Sequence, residues 1–219
     1  DFVHYNSPDE RGIDVGLLYN KDLFEVLDSM VFPLYIDNLD GERDLTRDVL
    51  YVKGKLNGEV MYVLVNHWPS RRDGTDETTY KRIKAAQLNR DIAKIISNKN
   101  HNAKIIFMGD FNDNPTSEST QTLVQNDFYN PMQQLFAEGK GTLKYREDWH
   151  LFDQIILSKS FLNPKKDSHS FKYAQVFNED FLKVYRGKNK GKPFRTYISK
   201  WYQGGFSDHF PVFVYLKKN

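Results

Sequence analysis

Short apolar runs closed by polar clusters recur along the chain, and their spacing switches between strand-like and helix-like. Residues 14–19 (DVGLLY) form a brief apolar run stopped by Asn20-Lys21-Asp22, a turn-like cluster. Residues 24–36 have a strand-rich composition broken by Pro33. Runs at 49–56 and 59–66 flank Asn57-Gly58, a dipeptide that favours a two-residue hairpin because both residues accept positive φ. The second of these runs is apolar at nearly every position from 60 to 65, as expected of a strand covered on both faces. Between 78 and 97 the period changes. Ala85, Leu88, Ile92 and Ile95 or Ile96 recur at helical spacing, while Lys81, Lys84, Arg90 and Lys94 fall largely elsewhere, as a solvated face would. A buried strand at 105–108, a helix over 117–125 and strands at 151–157 and 211–216 follow. Residues 163–205, with a basic stretch at 186–195, read as a long loop. No repeat, low-complexity segment or linker divides the chain, which predicts one domain over residues 1–219.

Composition narrows the class. With 39% hydrophobic residues the chain can bury a sizeable core, and no segment approaches the ~20 apolar residues of a membrane span. A net charge of +2 argues against bulk electrostatic binding of nucleic acid, so any phosphate-handling site must be local. The absence of cysteine excludes disulfides and thiolate metal sites.

Four polar clusters stand at predicted strand ends. Gly109-Asp110-Phe111-Asn112-Asp113-Asn114-Pro115 follows the 105–108 strand and places Asp110 and Asn112 toward one side, where a carboxylate and an amide can orient a water and hold a phosphate oxygen. An ordinary Asp/Asn turn closed by proline is the competing reading. After Val65 comes Asn66-His67-Trp68-Pro69-Ser70-Arg71-Arg72, a histidine followed by two guanidiniums suited to bidentate phosphate contact; a strand-capping His with two exposed Arg is the alternative. Asp153 opens an otherwise apolar strand, so its carboxylate needs a partner such as an imidazole, unless it simply faces water at the strand edge. Ser207-Asp208-His209-Phe210 precedes the last strand. His4, His101, His150 and His169 lack such surroundings and read as surface or structural residues.

Taken in order, NHWPSR, MGDFND, FDQIILS and SDHFPV resemble the endonuclease/exonuclease/phosphatase superfamily, typified by deoxyribonuclease I, over nearly the whole chain from about Arg11. The wording DERGIDVGLLYN, NHWPSRR and YQGGFSDHFPV looks most like bacterial members. The resemblance implies a four-layer α/β/β/α sandwich of two packed, mainly antiparallel sheets flanked by helices. It implies that Asp110 activates the attacking water and that Asn112 helps hold the scissile phosphate. His209, oriented by Asp153, would stabilise charge or act as the acid, and His67 would sit near the leaving group. Asp208 would bind the divalent metal. Arg11, Arg71 and Arg72, with Asn112, are the candidates for holding substrate. One part of the family pattern is missing: its first-strand Asn and its principal metal-binding Glu should precede Arg11, and Glu10, adjoining Arg11, does not fit that place. The chain is therefore expected to be N-terminally incomplete, with the Glu upstream of Asp1.

The expected activity is hydrolysis of a phosphoester with Mg²⁺ or Mn²⁺, on DNA or another nucleic acid, by a monomer. Arg71, Arg72 and the 183–195 stretch with Tyr185, Phe194 and Tyr197 interleaved point that way. A small phosphoester (inositol phosphates or sphingomyelin) is the alternative substrate, with Trp201 to Phe206 as the nearest thing to an exposed apolar hairpin. A binding module of the same fold without turnover is the alternative from another class. An exported, periplasmic or extracellular location is compatible with the cysteine-free chain.

Overall fold

The computed structural model describes residues 1–38, 41–72 and 74–219. In chain order the elements are β1 (Phe2–His4), β2 (Gly16–Leu18), β3 (Phe24–Phe32), β4 (Ile36–Asp37), β5 (Arg43–Asp44), β6 (Val49–Leu56), β7 (Glu59–His67) and α1 (Thr75–Lys99). There follow β8 (Lys104–Asp110), α2 (Glu118–Val124), β9 (Phe128–Tyr129), α3 (Met132–Ala137), β10 (Leu143–Tyr145) and β11 (Asp148–His150). The last are β12 (Asp153–Ser158), β13 (His169–Val176), β14 (Tyr197–Ile198), β15 (Trp201–Tyr202) and β16 (Val212–Lys218).

Six strands make the central sheet in the order β3-β6-β7-β8-β12-β9. Its pairs are antiparallel except β7 with β8, which run parallel because α1 carries the chain back between them. Asn57 and Gly58 turn β6 into β7 with φ of 48° and 87°, the positive values that the dipeptide predicts. Alternate residues of β7 and β8 point to opposite faces. Leu64, Ile105 and Phe107 pack with Ala85, Ala86, Ile92, Ala93 and Ile96 of α1 and with Leu123 of α2. Val63, Val65 and Met108 pack the other way, against Val15 and Leu17 beside and within β2. Burying each large aliphatic or aromatic side chain contributes about 1.5–3 kcal/mol, so these two faces hold the sheet in place.

Two strand pairs form the second layer. β1 pairs with β2, and β13 pairs with β16; the latter seats Phe171 and Leu216 against Met61, Ile106 and Leu157. The expected α/β sandwich of packed, mainly antiparallel sheets is present. On the β13–β16 pair Tyr173 and Tyr215 stack in the open at 5.3 Å. Residues 163–205 are also more ordered than a loop. β13 runs eight residues there, and a bulge between Phe171 and Tyr173 breaks the alternation that would have announced it.

α1 corrects the expectation of a solvated basic face. Lys81 is buried and donates to Asn38 Oδ1 (2.6 Å) and Asp44 Oδ2 (2.7 Å), and Arg90 reaches Leu123 O (2.9 Å) and Asp127 Oδ2 (2.7 Å). Ile96, not Ile95, faces the core, and Lys94 is exposed. Lys94→Ala is expected to change unfolding free energy by less than about 0.5 kcal/mol in a denaturant titration, as surface substitutions do. A larger loss would mean that this face packs against something. No helix among the described residues is long and apolar enough to cross a membrane.

Candidate active site

Strand register assembles the site. In the parallel β7–β8 pair His67 stands opposite Asp110, and in the antiparallel β8–β12 pair Asp110 stands opposite Asp153. Residues in register share a face, so three strand ends lay His67, Asp110 and Asp153 in one row on the side of the second layer. Gly109 permits the close approach: with φ of 133°, a Cβ there would lie 1.9 Å from the Asn66 carbonyl oxygen. The fourth member comes from the segment entering β16. Phe210 is buried, stacks with Trp149 and donates its N–H to Thr142 O (2.8 Å), which brings the preceding His209 over the row.

His209 Nδ1 donates to Asp153 Oδ2 at 2.8 Å. Burial disfavours the imidazolium, but the hydrogen bond and charge of Asp153, with Asp110 and Asp208 beyond, outweigh it and push its pKa up to about 9. Burial, and then the facing Asp153 carboxylate, push Asp110 up to about 6, against the pull of His209 and the Asn112 N–H bonded to its Oδ1 (2.8 Å). His67 goes the other way. Desolvation, followed by Arg47 and Arg11, lowers it to about 4. At neutral pH it is therefore uncharged, and its 3.7 Å approach to Asp110 is a polar contact rather than an ion pair.

A second set of residues fixes the loops that carry these groups, and most of it was not legible beforehand. Arg47 is buried and donates to the carbonyls of His67 (3.2 Å) and Trp68 (2.6 Å) and to Asp9 Oδ2 (2.8 Å). The acid-to-base pair Asp9–Arg47 spans 38 residues, so no local pattern pointed to it. The loop after β8 is held from Asp113, which accepts from Arg71, from Ser119 and from Arg82 Nε (2.7 Å). An arginine in the middle of α1 is an unremarkable helix former in the sequence; here it is fully buried.

Of the sequence-derived candidates, His67, Asp110, Asp153 and His209 meet at one place. Asn112 is beside them, in a left-handed conformation (φ 50°), with its Nδ2 donating to Trp68 O at 2.8 Å. Arg71 is not free for substrate: Nε donates to Asn112 O (2.8 Å), Nη2 binds Asp113, and the guanidinium lies 4.6 Å over Phe152. Arg11 and Arg72 line a neighbouring cavity of about 170 Å³ with Glu10, Asp9 and Arg47. Asp208 is 57% exposed, with Oδ2 3.8 Å from Arg195 Nη2. His169 proves structural, buried with Nδ1 donating to Glu59 Oε2 (2.7 Å).

Ligand atoms of Asp110, Asp153 and His209 lie within 4.8 Å of one another, a spacing in which a group of this kind can hold a metal ion; Asp208 is not in the group. Two carboxylates facing each other in a half-buried pocket, with oxygen donors and no sulfur, suit a hard divalent cation.

None of the curated proteins compared with the chain matches it. Among solved structures, a mannosyl-6-phosphatase of Bacteroides thetaiotaomicron VPI-5482 is similar with a TM-score of 0.63 at 17% identity, over 99% of this chain and 76% of that one. TDP2 of D. rerio in complex with a single-strand DNA product gives 0.61 at 15% identity, over 99% and 77%. The human Nocturnin catalytic domain with bound sulfate gives 0.59 at 16%, over 80% and 63%. These likenesses establish the fold, that of the deoxyribonuclease I-like proteins. The sequence itself matches the Endonuclease/Exonuclease/phosphatase family over residues 1–218, and this agreement of motif order, strand register and family match places the chain in that family of phosphoester hydrolases.

Proposed function

We propose that this chain is a divalent-metal-dependent phosphodiesterase that cleaves nucleic acid by attack of an activated water on phosphorus. One observation carries the reading: a carboxylate poised near neutral pH, Asp110, stands beside an imidazolium, His209, that is locked by Asp153. Asp110 takes the proton of the water. Protonated His209 donates toward the phosphate oxygens, and the Asp153 bond fixes which ring nitrogen points at them. His67 is neutral, so it offers a hydrogen bond without repelling an approaching cation. Asn112 lends its amide beside Asp110. Mg²⁺ or Mn²⁺ would be held by the Asp110 and Asp153 carboxylates, because a protonated His209 has no lone pair to give. When bound, the ion neutralises charge on the phosphoryl oxygens and lowers the pKa of water. The D. rerio TDP2 complex, of the same fold, supports nucleic acid as substrate.

The pH dependence follows. The base must be unprotonated and the acid protonated. On the acid side kcat/KM rises as Asp110 ionises, at or below about 6 because a bound cation favours its carboxylate. On the alkaline side it falls as His209, raised to about 9 without metal, loses its proton. A profile on bis(4-nitrophenyl) phosphate checks this; a single limb would remove one of the two roles. The substrate is settled by offering plasmid DNA, inositol phosphates, sphingomyelin and mannose 6-phosphate with Mg²⁺, Mn²⁺ or EDTA. Metal-dependent nicking that EDTA abolishes is the expected result. Turnover of a small phosphoester alone would keep the chemistry and replace the substrate. Inertness toward all of them would leave a non-catalytic binding module.

A further inference from the structure

Asp208 has a second neighbour that the hydrolytic roles do not use. A cleft of about 400 Å³ opens beside it, lined by Lys144, Arg186, Lys188, Lys192 and Arg195, with Asp208 as its one carboxylate. Five cations thus surround one concavity in a chain whose whole formal charge is +2. Ion pairing does little to quench them. Arg195 comes no nearer than 3.8 Å to Asp208, and Lys144 sits 3.6 Å from an exposed Glu147. Among the described residues Arg186, Lys188 and Lys192 have no side-chain hydrogen bond and no ion pair.

The cleft is built rather than a chance of loose loops. Val184 donates its N–H to Lys192 O (2.9 Å), Gly191 to Val184 O (2.9 Å) and Phe194 to Leu182 O (2.8 Å), which closes one arm of the 182–206 excursion. Gln203 donates to Thr196 O (2.8 Å) and Phe206 to Phe194 O (2.7 Å), which closes the other. Gly205 lets the arms meet, since a Cβ there would lie 2.2 Å from the Phe194 carbonyl oxygen. Like charges held on a fixed frame repel until an anion enters, and field lines concentrate in such a concavity. Around it, Tyr185, Trp201 and Tyr202 are 88%, 67% and 69% exposed. Exposed rings next to a basic groove are the combination that holds single strands, with phosphates on the cations and bases on the rings. The concave placement of the cations disfavours a flat lipid surface.

We propose that this cleft holds the phosphate backbone of a single-stranded nucleic acid flanking the phosphate cleaved beside Asp110 and His209. The inference deepens the proposed function and rests on it only in that the bound strand is also the substrate. Binding is tested first, with the Asp110→Asn protein in EDTA and a labelled single strand of about 12 nucleotides, read by fluorescence anisotropy. Arg186→Ala/Lys188→Ala/Lys192→Ala should weaken binding at least about tenfold at low salt and flatten the log–log salt slope by about 2, since each neutralised phosphate contributes about 0.7. The charge-retaining Arg186→Lys/Lys188→Arg/Lys192→Arg should restore both. With Asp110 present, KM for the strand should rise, whereas bis(4-nitrophenyl) phosphate, which has no second phosphate to place, reports on the site alone. Unchanged affinity and slope would overturn the proposal. So would equal losses on strand and small diester, or loss of anionic-vesicle binding in place of strand binding. Strand binding lost in the triple variant of a protein that hydrolyses no ester would uphold the cleft and remove the hydrolase reading instead.

Discussion

Asp110→Asn is expected to lower kcat/KM on a phosphodiester by about 10²–10⁴ without lowering the melting temperature, and His209→Ala to cost a similar factor in rate. The two halves of the first statement separate chemistry from stability. Asn keeps the shape of Asp and can still accept the Asn112 N–H through its carbonyl oxygen, so the loop after β8 is retained. What it loses is a base. The stability half follows from the sign of the pKa shift. Asp110 is raised above its unfolded value, so its ionised form is favoured less in the folded chain, and stability is lost as pH rises through about 6. An uncharged Asn removes that cost at pH 8, so the melting temperature should hold or rise. Because Asp110, Asp153 and His209 act together, the Asp110→Asn/His209→Ala double variant should be scarcely slower than the worse single one. Near-normal turnover in either variant, or multiplied losses in the double, would show that the row is not one working unit.

Arg82→Leu should be the most destabilising substitution outside the hydrophobic core, costing about 3–5 kcal/mol in urea or guanidinium unfolding. Arg82 is fully buried, and desolvation lowers its pKa against the opposing attraction of Asp113. Its donors are distributed over Asp113 Oδ2 (2.7 Å), Thr78 Oγ1 (2.8 Å), Thr75 O (3.0 Å) and Thr79 Oγ1 (3.2 Å). Leucine fills part of the space and leaves a buried carboxylate with Arg71 and Ser119 as its remaining partners. Activity should fall as well, because Asp113 anchors the loop whose other end carries Asp110 and Asn112. A cost below about 1 kcal/mol would mean that Asp113 reaches water once Arg82 is gone, and that the pair is not what holds the loop.

The fate of Arg71 shows why function cannot be assigned by residue type. A guanidinium two positions after Pro69 reads as a phosphate ligand, and its bonding groups are those a phosphate would want. The acid of its own fold, Asp113, satisfies them first. The unpartnered cations instead lie on the excursion at 186–195, a basic stretch that the sequence shows without the cleft it lines. The aromatic interleaving at Tyr185, Phe194 and Tyr197 was visible in the sequence; the concavity that gives it a purpose was not.

The sequence by itself determined the local elements and the chemistry-bearing ends. Alternating or continuous apolar runs place β6, β7, β8, β12 and β16, the Asn57-Gly58 turn sets one hairpin, and the helical period sets α1, because each depends on neighbours within a few residues. The same runs mark where His67, Asp110, Asp153 and His209 emerge. Only the tertiary structure decided that these four meet, since that depends on a parallel register between strands separated by a 25-residue helix and on Phe210 docking against a distant hairpin. It likewise decided that Asp208 comes within 3.8 Å of Arg195, that Asp9 and Arg47 close over 38 residues, and that β13 pairs despite its bulge. Side-chain period is a local property of the backbone, whereas partner choice among buried charges is a contest between all groups that the fold brings within reach, and no window along the chain contains the contestants.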